Sequence, residues 1–134
     1  MKIMLVCSAK FSEREDEFAG QLRELGHEVT FTAGYDDPQL DGESFPDYAA
    51  RMMRKSIARM PNTDAVLCLN FAQKGQDGHI GGATFLELGY AFEHGKKIFV
   101  LNDLPADPPV GMTPLDELEM FEPVVLNGDL GKIK

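Results

Sequence analysis

The sequence predicts an α/β protein in which a parallel sheet is covered by helices on both faces. Short apolar segments alternate along the chain with segments of helical periodicity, as expected when each strand is followed by a crossover helix. The predicted strands are apolar along most of their length, which is typical of strands buried on both sides. The 134 residues have the length of one domain, so we expect a single domain rather than two.

The beginning of the chain predicts a strand and a helix. Residues 2–7 form an almost continuous apolar run of strand length. Ser12 and, three residues later, Glu15 have the pattern of a capping box, apolar side chains then recur at helical spacing, and Gly26 supplies a stop. We therefore expect the first helix to extend from about Ser12 to Leu25.

The second strand is predicted at residues 27–32, which are rich in β-branched and aromatic side chains. Residues 34–43 are rich in aspartate and glycine and predict a surface loop that is long enough to be functional. Ser44 with Asp47 can then cap a second helix, which we expect to extend to about Met60.

The centre of the chain predicts a third strand at residues 64–70, followed by a glycine-rich loop at residues 71–82. Thr84 and Glu87 have the spacing of another capping box, so the third helix is expected to begin at Thr84 and to end before Gly95.

The last part of the chain predicts the rest of the sheet. Residues 97–101 are an apolar fourth strand, and the proline-rich residues 104–114 are a loop. A short helix at residues 115–121 and a last strand at residues 123–126 complete the sheet.

The position of a functional site follows from the fold class, because ligands of doubly wound sheets bind at the carboxyl ends of the strands. This rule selects three loops: residues 8–11, 70–82 and 102–109. In the second loop, residues 78–84 place glycines before a helix, where backbone amides can approach an anion. Ser8 and Lys10 offer a hydroxyl and a cation in the first loop. The glycines can equally serve close packing, and neither a GxGxxG nor a Walker motif is present.

The composition restricts the partners and the location. The formal net charge of −9 repels phosphate backbones and anionic lipids, so we expect neither a nucleic-acid polymer nor a membrane as partner. Cys7 and Cys68 lie in apolar runs, where free thiols behave as small hydrophobic side chains, and no disulfide is expected. No apolar run approaches the roughly 20 residues of a membrane span, which favours a cytoplasmic protein.

We expect no metal and no other cofactor. The histidines are scattered, the cysteines are far apart, and the acidic residues 36–41 lack the length and the final glutamate of a calcium loop. A flavin mononucleotide carrier is disfavoured because no hydroxyl-rich phosphate loop follows the first strand.

Glu87 is the candidate catalytic residue. It is expected in the first turn of the third helix, at the active edge of the sheet and among small or apolar neighbours. Its carboxylate is either a reciprocal cap for Thr84 or a positioned nucleophile or acid, and the spacing alone favours the cap.

The segment around Glu87 resembles a known family. Residues 82–97, Gly-Ala-Thr-Phe-Leu-Glu-Leu-Gly-Tyr-Ala-Phe-Glu-His-Gly-Lys-Lys, are similar to the signature of nucleoside 2-deoxyribosyltransferases and of their relatives that hydrolyse deoxynucleoside monophosphates. In that family a Glu-Leu-Gly-x-Ala motif carries the catalytic glutamate, and Glu87 matches it. The resemblance covers residues 3–101 and leaves the end of the chain unmatched.

The resemblance implies a flavodoxin-like three-layer sandwich with a five-stranded parallel sheet of order 2-1-3-4-5. It also implies cleavage of the N-glycosidic bond of a nucleoside or nucleoside 5′-monophosphate through a covalent ester between the sugar and the glutamate. A second base would resolve the ester in a transferase, and water would do so in a hydrolase. Relatives complete their pockets with a neighbouring subunit, so a homo-oligomer is implied as well.

Two positions depart from the family pattern, because Ser56 and Gly81 stand where relatives carry acids. Assistance to the leaving base is therefore open, with Asp77, His79 and Asp64 as candidates. His79 is the most attractive of these because imidazole titrates near neutral pH. The predicted substrate-binding residues are Ser8, Lys10, Asp64, Asn70, His79, Gly81 and Gly82.

Two choices of function stay open at this point. Ser8, Lys10 and the glycines before the third helix favour a 5′-phosphate over an uncharged nucleoside, although the net charge opposes an anionic ligand. The alternative to an enzyme is a noncatalytic module that senses a nucleotide, with Glu87 as a hydroxyl acceptor or helix cap. Substitution of Glu87 separates the two, since it would abolish turnover in an enzyme and change only the affinity of a sensor.

Overall fold

The computed structural model describes residues 1–106 and 115–134. The strands are β1 (Lys2–Val6), β2 (Glu28–Phe31), β3 (Ala65–Cys68), β4 (Lys97–Val100) and β5 (Val124–Val125). The α-helices are α1 (Ser12–Glu24), α2 (Phe45–Arg59), α3 (Gly82–Glu93) and α4 (Leu115–Glu119). Every predicted strand and helix is present, and the strands are one to three residues shorter than the segments that predict them. The predicted loops at residues 102–109 and 104–114 lie partly outside the described residues.

The strands form an all-parallel sheet of order β2-β1-β3-β4-β5, which confirms the predicted fold class and strand order. Leu5 of β1 pairs with Phe31 of β2 on one side and with Leu67 of β3 on the other. The chain winds outward from β1 to β2 and then returns to the other side of β1 to form β3. The carboxyl ends of β1 and β3 are thus the point where the direction of winding changes, and ligands of doubly wound sheets bind there.

Consecutive residues of β1 pack into different layers. Leu5 is buried with Leu22 of α1 on one face of the sheet, and Val6 is buried with Leu88 of α3 on the other. Burial of each such side chain stabilises the fold by about 1.5–3 kcal/mol. Because α2 lies beside α3, the helices form one layer on each side of the sheet, as predicted.

The predicted starts of α1 and α2 are confirmed, and two predicted capping boxes are wrong. Ser44 accepts a hydrogen bond from the backbone N–H of Asp47 at 3.2 Å, as predicted for the start of α2. α1 begins at Ser12 itself, so this side chain cannot cap the helix. α3 begins at Gly82, two residues earlier than predicted, which places Thr84 within the first turn. Gly81 and Gly82 have no side chain that could cap α3, so the stability of this helix start depends on backbone hydrogen bonds and on packing.

The glycine-rich loop is fastened to the sheet by the side chain of Asn70. Asn70 lies just beyond β3 and is buried. Its side chain accepts a hydrogen bond from the backbone N–H of Asn102 at 2.8 Å and donates to the backbone oxygen of Asn102 at 2.9 Å. It also contacts the oxygen of Gly78 at 3.5 Å. Among the described helices none is long and apolar enough to cross a membrane.

Candidate functional site

A cavity of about 410 Å³ lies at the carboxyl ends of β1 and β3. Four elements line it: the loop after β1, the loop after β2, the inner side of α2, and the glycine-rich loop with the start of α3. We call it the first cavity. It contains six of the eight residues predicted for the site: Ser8, Lys10, His79, Gly81, Gly82 and Glu87. The switch point of the sheet therefore has the cavity that the fold class predicts.

Glu87 is a buried acid that the fold does not use as a helix cap. Its side chain lines the first cavity, yet the residue is only 5% exposed. Its Oε2 atom has no hydrogen-bond partner among the described residues. A buried polar atom without a partner costs about 1–3 kcal/mol, and such a cost is common at functional sites. The expected pairing with Thr84 fails because Thr84 lies inside the helix rather than before it.

Burial controls the protonation of Glu87. Desolvation, and to a smaller extent the negative charge of Glu15, raise the pKa of the Glu87 carboxyl to about 8. The group is therefore mostly neutral at pH 7 when the cavity holds no ligand. A ligand that brings positive charge next to Oε2 stabilises the carboxylate and lowers this pKa. Glu87 is thus suited to a reaction in which positive charge develops at the reacting atom.

The two thiols near Glu87 are buried and free, as predicted. Burial raises the pKa of Cys7, and a hydrogen bond and charge from Glu15 raise it further. Burial, followed by the charge of Glu87, also raises the pKa of Cys68. Both thiols are neutral near pH 7, and a neutral thiol is a poor nucleophile. Cys7 is thus a wall of the first cavity, Cys68 does not line it, and Glu87 is left as the nucleophile candidate.

His79 is held as a neutral imidazole beside the start of α3. Its Nδ1 lies 3.1 Å from Oε1 of Gln76. An amide oxygen only accepts, so Nδ1 donates and Nε2 is the unprotonated nitrogen, next to Gly81. Burial, and then the charge of Lys74, lower the pKa of His79. At neutral pH the ring can accept a hydrogen bond from a ligand hydroxyl but does not supply a proton.

Several groups that can bind an anion line the first cavity. Ser8 and Lys10 approach from the loop after β1, and Gly81 and Gly82 form the amino end of α3. Lys74, which sequence reasoning missed, lines the same cavity. A tight turn, in which the backbones of Gln73 and Gln76 pair, places Lys74 at the cavity. Gly75 was the one residue in the sequence that could have indicated this turn.

Three sequence candidates lie outside the cavity, which corrects their assignment. Asp64 precedes β3 at the amino edge of the sheet, where its carboxylate accepts a hydrogen bond from the backbone N–H of Lys2 at 2.7 Å. Asn70 is engaged by the backbone around Asn102 and is a structural residue. Asp77 is exposed and is not among the residues that line the cavity. The sequence before Asn70 predicts only that this residue follows a buried strand. It does not indicate whether the side chain contacts a ligand or binds the backbone of a neighbouring loop.

Ser56, one of the two departures from the resembled family, is buried and lines the first cavity. Its hydroxyl accepts a hydrogen bond from the backbone N–H of Ala33 at 2.8 Å and donates to the oxygen of Met52 at 3.1 Å. The hydroxyl is therefore occupied by the backbone and does not replace a catalytic acid.

A second cavity of about 370 Å³ adjoins the first. The two share five lining residues: Cys7, Ala9, Thr32, Gly34 and Tyr35. Glu15 lines the second cavity and accepts a hydrogen bond from the thiol of Cys7, with 3.0 Å between Sγ and Oε1. Sequence reasoning missed this role of Glu15, because its spacing from Ser12 indicated a helix cap. The exposed ring of Tyr35, also missed, stacks on the ring of Tyr48 at a centroid distance of 5.8 Å.

The acidic loop after β2 is bound to basic side chains of α2. Asp36 pairs with Arg59 and Asp37 pairs with Lys55, each at 2.9 Å. The hydroxyl of Tyr48 donates to the backbone oxygen of Asp37. Within residues 1–106 and 115–134, no group of three or more His, Cys, Asp or Glu side chains is arranged to hold a metal ion. These contacts hold the loop against α2 and position Tyr35, which lines both cavities.

Comparison with known proteins supports the fold. No protein-family model matches the sequence, and no curated protein matches it. A solved structure of a 2-deoxyribosyltransferase from the psychrotolerant bacterium Bacillus psychrosaccharolyticus aligns with 81% of this chain and 77% of its own, with a TM-score of 0.51 and 20% sequence identity. At this identity the likeness establishes a shared α/β architecture.

Proposed function

We propose that the protein cleaves or transfers at the N-glycosidic bond of a nucleoside or nucleoside 5′-monophosphate, with Glu87 as the nucleophile. One observation carries the proposal: the Glu87 carboxyl lines the switch-point cavity, is buried, and has an oxygen without a partner. The shared fold with a 2-deoxyribosyltransferase supports the same reaction class.

In the first step, the Glu87 carboxylate attacks C1′ of the sugar. The bond between C1′ and the base nitrogen breaks, its electron pair leaves with the base, and an ester forms between C1′ and Glu87. Positive charge develops on the sugar in the transition state, and a carboxylate in a largely dry cavity stabilises that charge more strongly than water does. Because the pKa of Glu87 is raised to about 8, this carboxyl has to release its proton to solvent before the carboxylate attacks C1′.

In the second step, water or a second base attacks C1′ and the ester bond to Glu87 breaks. Two successive displacements at C1′ retain the configuration of the sugar. His79, with Nε2 as an acceptor, can hold a sugar hydroxyl in place during both steps. Water as the acceptor gives hydrolysis, and a free base gives transfer.

The donors of the first cavity favour a 5′-monophosphate over an uncharged nucleoside. Lys10 and Lys74 supply two positive charges, and the amino end of α3 at Gly82 supplies backbone N–H groups and the positive end of a helix dipole. The overall charge of −9 opposes the anion, so the local donors have to provide the affinity.

The experiment is an assay of base release. Wild-type protein, Glu87→Gln and the matched control Glu93→Gln are incubated with deoxy- and ribonucleosides and their 5′-monophosphates, with and without a free base. Glu93 is an exposed carboxylate on the same helix. We expect release by the wild type and by Glu93→Gln, and none by Glu87→Gln. Dependence on added base distinguishes transfer from hydrolysis.

Trapping of the ester tests the nucleophile directly. A 2′-fluoro substrate slows the second step, and intact-mass measurement should show the sugar attached to the wild type and not to Glu87→Gln. Release that persists in Glu87→Gln would contradict the proposal. Nucleotide binding without release from any substrate would favour the noncatalytic sensor instead.

Self-association stays a prediction from the family resemblance. Sedimentation velocity of the purified chain tests it, with a dimer or larger assembly as the expected result.

A further inference from the structure

The first and second cavities meet at Cys7, which lines both. On one side of Cys7 is Glu87, and on the other is Glu15, whose Oε1 accepts the thiol proton at 3.0 Å. The two carboxyls are close enough that the charge of Glu15 raises the pKa of Glu87. The junction of the cavities is therefore flanked by a pair of acidic side chains.

The two cavities differ in the charges of the side chains that line them. The first cavity contains Lys10 and Lys74, whereas the second contains Glu15 and Asp16. Arg59 also lines the second cavity, but it is held by Asp36 and by the backbone oxygen of Phe31. In the proposed function the sugar phosphate occupies the first cavity beside Lys10 and Lys74, and the base of the same substrate then extends across the junction into the second. Tyr35 lines both and offers an aromatic surface there.

We propose that Glu15 is the catalytic acid that protonates the leaving base, and the base that activates water in the second step. This inference rests on the proposed function and supplies the assistance to the leaving group that Ser56 and Gly81 do not provide. Retaining glycosidases need two carboxyl groups that flank the bond to be cleaved, one as nucleophile and one as acid and base. Glu87 lines the first cavity and Glu15 lines the second, so a substrate that spans the junction at Cys7 has one carboxyl group in each cavity.

Glu15 is better suited to this role than the other acids of the second cavity. Asp36 is ion-paired with Arg59 at 2.9 Å, and Asp16 is exposed. Glu15 is half-buried, and burial is the largest cause of its raised pKa. The nearby charges of Asp16 and Asp36 also raise this pKa, while the hydrogen bond from Cys7 lowers it. Burial and the two neighbouring charges thus favour the protonated form of Glu15, which a catalytic acid needs, and the hydrogen bond from Cys7 opposes it.

The reaction balances with one proton passing between Glu15 and the substrate. As the bond from C1′ to the base nitrogen breaks, the carboxyl proton of Glu15 moves to a ring nitrogen of the base, and the Glu87 carboxylate forms the ester with C1′. Glu15 is then a carboxylate. It takes a proton from water as the water oxygen bonds to C1′, and the ester breaks to return Glu87 as a carboxylate. Both residues end as they began.

The experiment compares a base that needs a proton with one that does not. The substrates are deoxyguanosine 5′-monophosphate and its N7-methyl derivative, whose positively charged base leaves as a neutral molecule without protonation. Wild type, Glu15→Gln, Glu87→Gln and the control Glu17→Gln are compared in kcat for release of each base. Glu17 is an exposed carboxylate on the same helix and lines neither cavity. Thermal melting checks that each variant is folded.

We expect Glu15→Gln to lower kcat for guanine release by about 10²–10⁴-fold, the range for loss of a general acid. Its kcat for the N7-methyl substrate should stay within about threefold of wild type, since no acid is needed. Equal losses on both substrates in a folded Glu15→Gln, or no loss on either, would overturn the role of Glu15 and leave Glu87 untouched. A wild type that releases no base from these two substrates or from any of the nucleosides and 5′-monophosphates named above, or a Glu87→Gln that releases base as fast as wild type, would overturn the proposed function itself.

Discussion

Asn70 and Asn102 bind each other's backbone where β3 and β4 end. The side chain of Asn70 accepts from the N–H of Asn102 at 2.8 Å and donates to its oxygen at 2.9 Å, and the side chain of Asn102 donates to the oxygen of Asn70 at 3.2 Å. Asn70 also donates to the oxygen of Asp103 at 3.3 Å. The pair fixes the loop after β4 against the start of the glycine-rich loop, which carries His79 and leads into α3.

Substitution of Asn70 should therefore destabilise the fold before it affects chemistry. Asn70→Ala leaves the backbone N–H and oxygen of Asn102 without their partner in a partly buried place, and we expect a loss of about 2–4 kcal/mol in the free energy of unfolding. Urea denaturation measures this loss. Asn62→Ala, at an exposed turn, should change the free energy by no more than about 0.5 kcal/mol. A loss below about 1 kcal/mol for Asn70→Ala would contradict the fastening role.

Two glycines of the same loop should respond differently to alanine. Gly75 and Gly78 both have positive φ, +70° and +68°, so each alanine is strained. A Cβ on Gly75 would meet nothing within 4 Å, whereas a Cβ on Gly78 would lie 2.1 Å from the backbone oxygen of Asp103. We expect Gly75→Ala to cost about 1 kcal/mol and Gly78→Ala at least about 3 kcal/mol, measured by urea denaturation. Equal costs would show that the close approach is relieved by movement of the loop after β4.

The fold could be predicted from the sequence because its signals are local. Apolar runs with the length of strands, separated by amphipathic segments, leave few arrangements other than a doubly wound sheet. The start of α1 at Ser12 is as predicted, but its capping box does not form, and α3 begins two residues before its capping pattern indicates. A serine or threonine three residues before a glutamate has the capping pattern in any sequence, but Glu15 and Glu87 both turn toward cavities formed by distant segments. Tertiary contacts determine which role such a glutamate takes.

The candidate site could be predicted only in part, for a related reason. The rule that ligands bind at the carboxyl ends of parallel strands finds Ser8 and Lys10, which follow β1. It also finds Glu87, which lies near the start of the helix that follows β3. Tyr35 and Lys74 come from loops whose paths depend on contacts with α2 and on a tight turn, and no periodic pattern encodes those paths. Asp64 precedes β3, so the rule that ligands bind at the carboxyl ends of strands does not select it.

The stability of the protein should depend on pH through Glu87. The pKa of this carboxyl is about 8 in the folded protein and lies near the usual 4.5 in the unfolded chain. Between these pH values the unfolded chain has released the proton and the folded protein keeps it, so stability falls as the pH rises. Glutamine is neutral throughout, and we expect Glu87→Gln to be more stable than wild type by about 2–4 kcal/mol at pH 8.

The difference in stability between Glu87→Gln and wild type isolates the contribution of Glu87, because the other groups titrate alike in both proteins. The difference in the free energy of unfolding should nearly vanish at pH 4.5 and grow up to pH 8, as measured by urea denaturation at several pH values. Glu93→Gln, which alters an exposed carboxylate, should show no such trend. A constant difference between Glu87→Gln and wild type across the range would contradict the raised pKa.

Lys10 should discriminate between nucleotides and nucleosides. Its charge lies in the first cavity with Lys74, so Lys10→Ala should weaken binding of a 5′-monophosphate by about tenfold or more, the effect of a lost charge-assisted contact. Binding of the parent nucleoside should change by less than about twofold. Calorimetry in a Glu87→Gln background avoids turnover, and Lys132→Ala, far from the cavity, is the control. Equal weakening of both ligands would exclude Lys10 as a phosphate contact.

Cys7 should tune the acidity of Glu15 through their hydrogen bond. The thiol donates to Oε1 at 3.0 Å and lowers the pKa of Glu15 against the larger effect of burial. Cys7→Ala removes the donor, so the pKa of Glu15 should rise, whereas Cys7→Ser keeps a donor and should stay close to wild type. Carbon-13 NMR of the Glu15 carboxyl, titrated from pH 4 to 9, measures each pKa without relying on turnover. A Cys7→Ala value at or below that of wild type would show that the thiol does not stabilise the carboxylate, and the pKa of Glu15 would then be set by burial and by the charges of Asp16 and Asp36.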